Sequence, residues 1–305
     1  NKKKINSNFK RRDILIGVTA IGASNLLVAC KENVKGGTPT NPQKSASISK
    51  NIIQLRMATT WPKNFPGVGT TAENVAKAIT KASDGRLDIK VYGSGEIVPA
   101  YEVFDAVRQG TVEMGHGWPG YWISKNPGLA YFGGIPGGLS PSEQSAWIMH
   151  GGGQKLWEEL LEPYGIQPFQ AGIVQTEMFG WYKNSLNTLE DLKGLKMRIP
   201  GFAGEVMADL GATVTNIPPG ELYTSLERGT IDALEWVGPG MDIKMGFHKV
   251  APYYYTGWHE PGTDLQYLVN EKKFKKLPKD LQAILKTAIK LTAYDNYVQN
   301  YAMSA

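Results

Sequence analysis

Arg198 stands where a short alternating run stops. Leu195, Met197 and Ile199 alternate with Lys196 and Arg198, which predicts a strand with one apolar face, ended by Pro200-Gly201. Glu205 to Leu210 follows with Val206 and Leu210 at helical spacing, so the arginine is expected beside a helix N-terminus, a corner suited to an anion. A planar guanidinium takes a carboxylate through two parallel hydrogen bonds, each charge-assisted bond contributing roughly 1.5–3 kcal/mol where water is excluded. The same spacing also describes a surface arginine after an edge strand. A second strand, Thr230–Val237, delivers Glu235 and Trp236 to its C-terminal end, where ligands of open α/β sheets gather.

Catalytic chemistry finds less support. The chain has no His-Glu-x-x-His, no Gly-x-Ser-x-Gly elbow and one cysteine, Cys30, and Gly151-Gly-Gly-Gln-Lys155 is not a phosphate loop. His116 and His259 are too few and too scattered for a zinc set. A carboxylate cluster activating water, as in a metal-dependent hydrolase, is the enzymatic alternative. A sugar-binding protein is the other, on 8 Trp, 14 Tyr and the run Tyr253-Tyr-Tyr-Thr-Gly-Trp258.

The elements that must position these residues alternate. Ile52–Ala58 is expected as a strand, Thr71–Ile79 as a helix, Leu87–Tyr92 as a strand, Pro99–Arg108 as a helix closed by Gly110, and Val112–His116 as a strand. A largely parallel sheet with helical crossovers is the economical solution. Ser142–Met149 and Lys155–Leu161 are expected helices, and Pro168 makes the strand Ile166–Gly172 an edge or a crossover. The alternation then restarts with a strand Glu177–Tyr182, a short helix Leu189–Lys193, the Arg198 strand, and a helix Pro219–Arg228 stopped by Gly229. Leu265–Asn270 is the last strand, and Leu281–Tyr301 a long helix introduced by Pro278.

The 305 residues carry a formal charge of +5, but residues 1–29 hold six basic residues and one acidic one out of 33 and 28. The remainder is neutral, so charge gives no argument for nucleic acid. Lys2 to Arg12 followed by the apolar Ile14–Ala29 reads as an export signal, too short for a comfortable membrane span. Arg11-Arg12-Asp13 resembles a twin-arginine signal, and Leu27-Val-Ala-Cys30 resembles a lipobox, placing a lipid anchor on Cys30. Residues 30–51 are the lipidated cysteine and a polar tether. With no initial Met and a stop soon after a helix without an evident cap, the chain is expected to be a fragment at both ends.

Six phrases occur in order: Trp61-Pro-Lys-Asn-Phe-Pro-Gly67, Glu102-Val-Phe-Asp-Ala-Val107, Leu192-Lys-Gly-Leu-Lys-Met-Arg-Ile-Pro-Gly201, Gly229-Thr-Ile-Asp-Ala233, Glu235-Trp-Val-Gly-Pro239 and Gly257-Trp-His-Glu-Pro-Gly262. Together, over roughly Gln54 to Ala305, they resemble the extracytoplasmic solute receptors of TRAP transporters, of the DctP type, and within them the branch that binds 2-oxo acids and related monocarboxylates. The resemblance implies an α/β, two-domain, periplasmic-binding-protein-like fold with an interdomain cleft and a long C-terminal helix. Residues 52–174 plus 264–305 would be domain I and 175–263 domain II. It implies a periplasmic receptor and not an enzyme, taking a pyruvate- or lactate-like acid to TRAP membrane permease subunits, with a homodimer as a further expectation.

By the same resemblance Arg198 grips the substrate carboxylate. A cation, Ca²⁺ or Na⁺, is held by the Glu235 side chain, the Trp236 carbonyl, Glu260 and the position four before Trp181. The family has glutamine there and this chain has Glu177. Three carboxylates would offset a divalent ion better than sodium. The alternative is that Gln175 supplies the amide and Glu177 faces away, which two-residue periodicity leaves open. Tyr101, the first choice, with Trp61, His116, Tyr121, Trp181 and Trp236, are candidates for the cleft wall.

Overall fold

The computed structural model describes residues 51–304, so the segments read as signal, Cys30 and the tether up to residue 50 lie outside the described residues. In chain order the strands are β1 (Ile53–Thr59), β2 (Leu87–Tyr92), β3 (Met114–Gly117), β4 (Ile166–Val174), β5 (Gly180–Tyr182), β6 (Lys196–Arg198), β7 (Thr213–Thr215), β8 (Ala233–Leu234), β9 (Tyr253–Tyr255) and β10 (Thr263–Asn270). They form two five-stranded sheets, ordered β2-β1-β3-β10-β4 and β7-β6-β8-β5-β9. In each sheet the first three strands are parallel and the fourth is antiparallel to both its neighbours. Four strands of five therefore run the same way in each sheet, and the parallel expectation holds for two pairings of four.

Local patterns explain the first sheet. Leu87, Ile89 and Val91 of β2 are buried in alternation, and the helix Val68–Ala82 covers them with Val68, Ala72, Val75, Ala76 and Ile79 on one face. Strands β4 and β10 are buried along nearly their whole length because elements cover both faces. Pro168 sits on β4, at the sheet edge, where the missing N–H costs no ladder bond. The long helix runs Lys279–Ser304, packs on β4 and on the helix Val68–Ala82, and reaches the helix Pro239–Met245, where Lys244 Nζ donates to Met303 Sδ at 3.1 Å. Among the described residues no helix is long and apolar enough to cross a membrane.

The chain passes between the sheets through residues 175–179 and returns through residues 256–262. These crossings are bonded to each other: Glu177 N donates to Glu260 O at 2.9 Å and Thr176 Oγ1 to Pro261 O at 2.9 Å. Gly257 permits this approach, since a Cβ there would lie 1.6 Å from the Glu177 carbonyl oxygen.

Two expected strands are shorter than their sequence pattern. The strand expected over 177–182 pairs only from Gly180, because Glu177 N and Met178 N bond to Glu260 O and Val237 O rather than to a ladder. The strand expected over 230–237 pairs only at Ala233 and Leu234. Beyond it the Glu235 carbonyl accepts from the Arg198 side chain at 2.8 Å, so a guanidinium takes the place of a strand neighbour.

Candidate functional site

Strand β6 lies between β7 and β8, and its last residue, Arg198, is 1% exposed. The helix Gly201–Asp209 starts three residues later, as the Pro-Gly signal predicts. Arg198 Nη1 donates to the Glu235 carbonyl at 2.8 Å and to Glu235 Oε2 at 3.1 Å, and Nε donates to Ile217 O at 3.3 Å. The other amino group, Nη2, meets the Tyr121 hydroxyl at 3.5 Å, the outer limit of a hydrogen bond, and the Tyr101 hydroxyl also faces the guanidinium. The surface-arginine alternative therefore falls: a group with five N–H donors is buried with capacity to spare.

That capacity faces a cavity of about 30 Å³ lined by Trp61, Trp118, Tyr121, Glu177, Arg198, Glu235, Trp236, Glu260 and Thr263 with several apolar side chains. Glu177 comes from the outgoing crossing, Glu260 from the returning one, and Glu235 from the end of β8. Their exposures are 6%, 3% and 3%. Burial pushes the Glu177 carboxyl up to about 7. Burial, and then the charge of Glu177, hold Glu235 and Glu260 well above the usual carboxylate range. Glu260 Oε2 accepts from Thr263 Oγ1 at 2.6 Å, whereas Glu235 Oε1 is buried without a partner.

Three buried acids around one guanidinium leave an excess of negative charge that protons or a cation must offset. Carboxylate oxygens from three separate segments, one of them unpartnered, suit a hard cation such as Ca²⁺ or Na⁺. Ligating atoms of Glu177, Glu235 and His259 lie within 4.8 Å of one another.

The structure sorts the expected residues. Arg198, Glu177, Glu235, Trp236 and Glu260 line one cavity. Of the alternative pair, Glu177 lines it and Gln175 does not; the Gln175 amide nitrogen is buried without a partner. Trp61 and Tyr121 are in the wall. Tyr101 lies just outside that lining: its ring is 4.9 Å from that of Tyr121, its hydroxyl donates to Asn216 Oδ1 at 2.9 Å, and it also meets the Arg198 guanidinium.

His116 and Trp181 are also outside the wall. His116 is sandwiched between Trp61 and Tyr267, and burial lowers its pKa to about 3. Trp181 stacks on Tyr254 at 4.2 Å and donates to Asp242. Sequence spacing does not reveal Trp118, Thr263 or the nearness of His259. The one trace of Trp118 is the glycine-rich stretch around it, because Cβ atoms at Gly120, Gly133 and Gly201 would each strike its ring.

Comparison with known proteins agrees with this geometry. Residues 57–304 match the family model described as bacterial extracellular solute-binding protein, family 7 (DctP). A Nostoc sp. protein named monocarboxylate 2-oxoacid-binding periplasmic protein is 43% identical over 281 residues, covering 92% of this chain and 75% of that one. A TRAP periplasmic solute-binding protein of Pseudoalteromonas atlantica, solved with bound sodium and pyruvate, is 50% identical with a TM-score of 0.81, covering 83% of this chain and 77% of that one. Another, from Colwellia psychrerythraea with bound calcium and pyruvate, is 52% identical with a TM-score of 0.80 and the same coverage of 83% and 77%. The chain belongs to family 7 of the bacterial extracellular solute-binding proteins, the DctP receptors of TRAP transporters.

Proposed function

We propose that this receptor binds a small 2-oxo or 2-hydroxy monocarboxylate, such as pyruvate or lactate, together with a cation, and presents it to a separately encoded TRAP permease. The observation that carries the reading is the buried Arg198, whose second amino group meets only neutral hydroxyls, beside three buried acids around a cavity with room for a few water-sized groups. A hexose needs more space and no arginine. The pyruvate, sodium and calcium named for the two solved relatives support the same ligand class.

In this reading Arg198 holds the carboxylate of the acid. Glu177, Glu235, the Trp236 carbonyl and Glu260 hold Ca²⁺ or Na⁺, which supplies positive charge to the acid's oxygens and to the surplus carboxylates. Trp61, Trp118 and Tyr121 exclude water, strengthening each charge interaction. Residues 52–174 with 264–305 form one lobe and 175–263 the other, and the closed form is what the permease recognises. Tyr101 to Asn216 is a hydrogen bond between those lobes. Cys30, lipidated after export, would tether the receptor to the membrane. Nothing in this arrangement requires turnover of the acid.

Titration with pyruvate, lactate, 2-oxobutyrate and glucose checks the substrate class. The acids are expected to bind and to be recovered unchanged. Binding of glucose with none of the acids bound would overturn the class, and conversion of the acid would overturn the receptor.

A further inference from the structure

The reading above gives no role to His259, which lies on the returning crossing beside the acids. It is 1% exposed, and neither ring nitrogen has a hydrogen-bond partner. An imidazole buried so completely ordinarily satisfies at least one nitrogen. Its Nε2 is 3.8 Å from Glu177 Oε2, too far for a hydrogen bond and close enough for both atoms to face a common point. A carboxylate oxygen of Glu235, the residue whose Oε1 is also unpartnered, belongs to the same set of ligating atoms within 4.8 Å. A neutral imidazole offers one nitrogen lone pair to a metal ion.

Two ligands each roughly 2.0–2.2 Å from a first-row divalent ion are separated by roughly 3–4 Å. The three side chains therefore reach such an ion with shifts below roughly 1 Å, within the play of carboxylate rotamers.

We propose that His259 completes, with Glu177 and Glu235, a two-carboxylate and one-imidazole site that takes a first-row divalent ion such as Mn²⁺, Co²⁺ or Zn²⁺. The inference rests on the reading that these acids hold a cation, and it names a second class of ion for them. Imidazole nitrogen suits first-row divalent ions, whereas Ca²⁺ and Na⁺ prefer oxygen. A transition ion therefore competes with Ca²⁺ or Na⁺ for the same acids, and the ion present sets the affinity of the receptor for its acid.

The test uses chelator-stripped protein loaded with Mn²⁺ and measured by pulsed electron spin resonance. A nitrogen-14 modulation from a bound imidazole is expected, and it disappears in His259→Gln. In parallel titrations Zn²⁺ affinity falls at least tenfold more than Ca²⁺ affinity in that variant. Absence of the modulation in the unaltered protein, or equal losses for the two ions, overturns the proposal. If the variant does not fold, the spectrum of the unaltered protein decides alone. Pyruvate binding with Ca²⁺ in the absence of the nitrogen signal would sink His259 as a ligand and leave the proposed function standing. The signal without any acid binding would do the reverse.

Discussion

Glu235 and Asp242 are seven residues apart, both buried, both with raised pKa, and built on opposite terms. Asp242, in the first turn of the helix Pro239–Met245, accepts from Val237 N at 3.2 Å, Trp181 Nε1 at 3.3 Å and the Tyr254 hydroxyl at 3.0 Å. Both its oxygens are used, each by neutral donors on neighbouring elements. Glu235 shares one oxygen with Arg198, keeps the other without a partner, and stands beside two more acids. A satisfied acid ties elements together; an unsatisfied one beside like charges marks a place where something must arrive. The first holds the loop that carries the second.

The largest effect expected from this contrast is on the side of the missing partner. Arg198→Ala should weaken acid binding at least about thirtyfold, since truncating one partner of a buried hydrogen-bonded charge pair costs about 2–5 kcal/mol. Calorimetry with pyruvate reads this, and a loss under tenfold would break the assignment. Next, Asp242→Ala strands three donors at about 1–3 kcal/mol per unsatisfied group. It should lower the melting temperature by several degrees while the remaining folded protein still binds acid. Glu235→Gln should reverse that pattern, leaving the melting temperature of the cation-free protein nearly unchanged and weakening cation and acid by similar factors. If both variants act through stability alone, the contrast fails.

A smaller effect is on pH. Glu177 titrates at about 7 in the folded chain, with Glu235 and Glu260 also raised, against about 4.3 for an unfolded glutamate. The folded state then binds more protons between those values. Stability of the cation-free protein is therefore full below about pH 4.3 as far as these groups go, and is lost as pH rises through 7. Asp242, also pushed up to about 7 by burial, adds to the slope in the same direction. Saturating Ca²⁺ should flatten the part due to the three glutamates and leave the Asp242 part, which melting curves from pH 5 to 8 with and without Ca²⁺ separate. The smallest effect is at Tyr101, where Tyr101→Phe removes a hydroxyl that donates to Asn216 and meets the Arg198 guanidinium from outside the cavity lining. Acid affinity should fall by about two- to twelvefold, the span of one neutral hydrogen bond worth about 0.5–1.5 kcal/mol.

Arg198 was legible in the sequence because a strand of period two ends at a Pro-Gly signal and a helix follows, all within fifteen residues. The two-lobe α/β fold was legible in the recurring strand and helix spacings, and more specifically in phrases such as Glu235-Trp-Val-Gly-Pro239. The two crossings were not. Residues 175–179 and 256–262 have no periodicity, and their backbones bond to each other across some eighty residues of chain. For that reason alternation could not choose between Gln175 and Glu177, and it gave no hint that His259 lies beside the latter. Nor can spacing say whether a buried polar atom has a partner, which is what separates Asp242 from Glu235.

The most direct test is calorimetric titration of chelator-stripped protein with pyruvate, first without and then with Ca²⁺ or Na⁺. Binding that is weak without a cation and strengthens at least tenfold with one is the predicted result. Equal affinity with and without the ion would contradict a site in which an arginine and a cation hold the acid together.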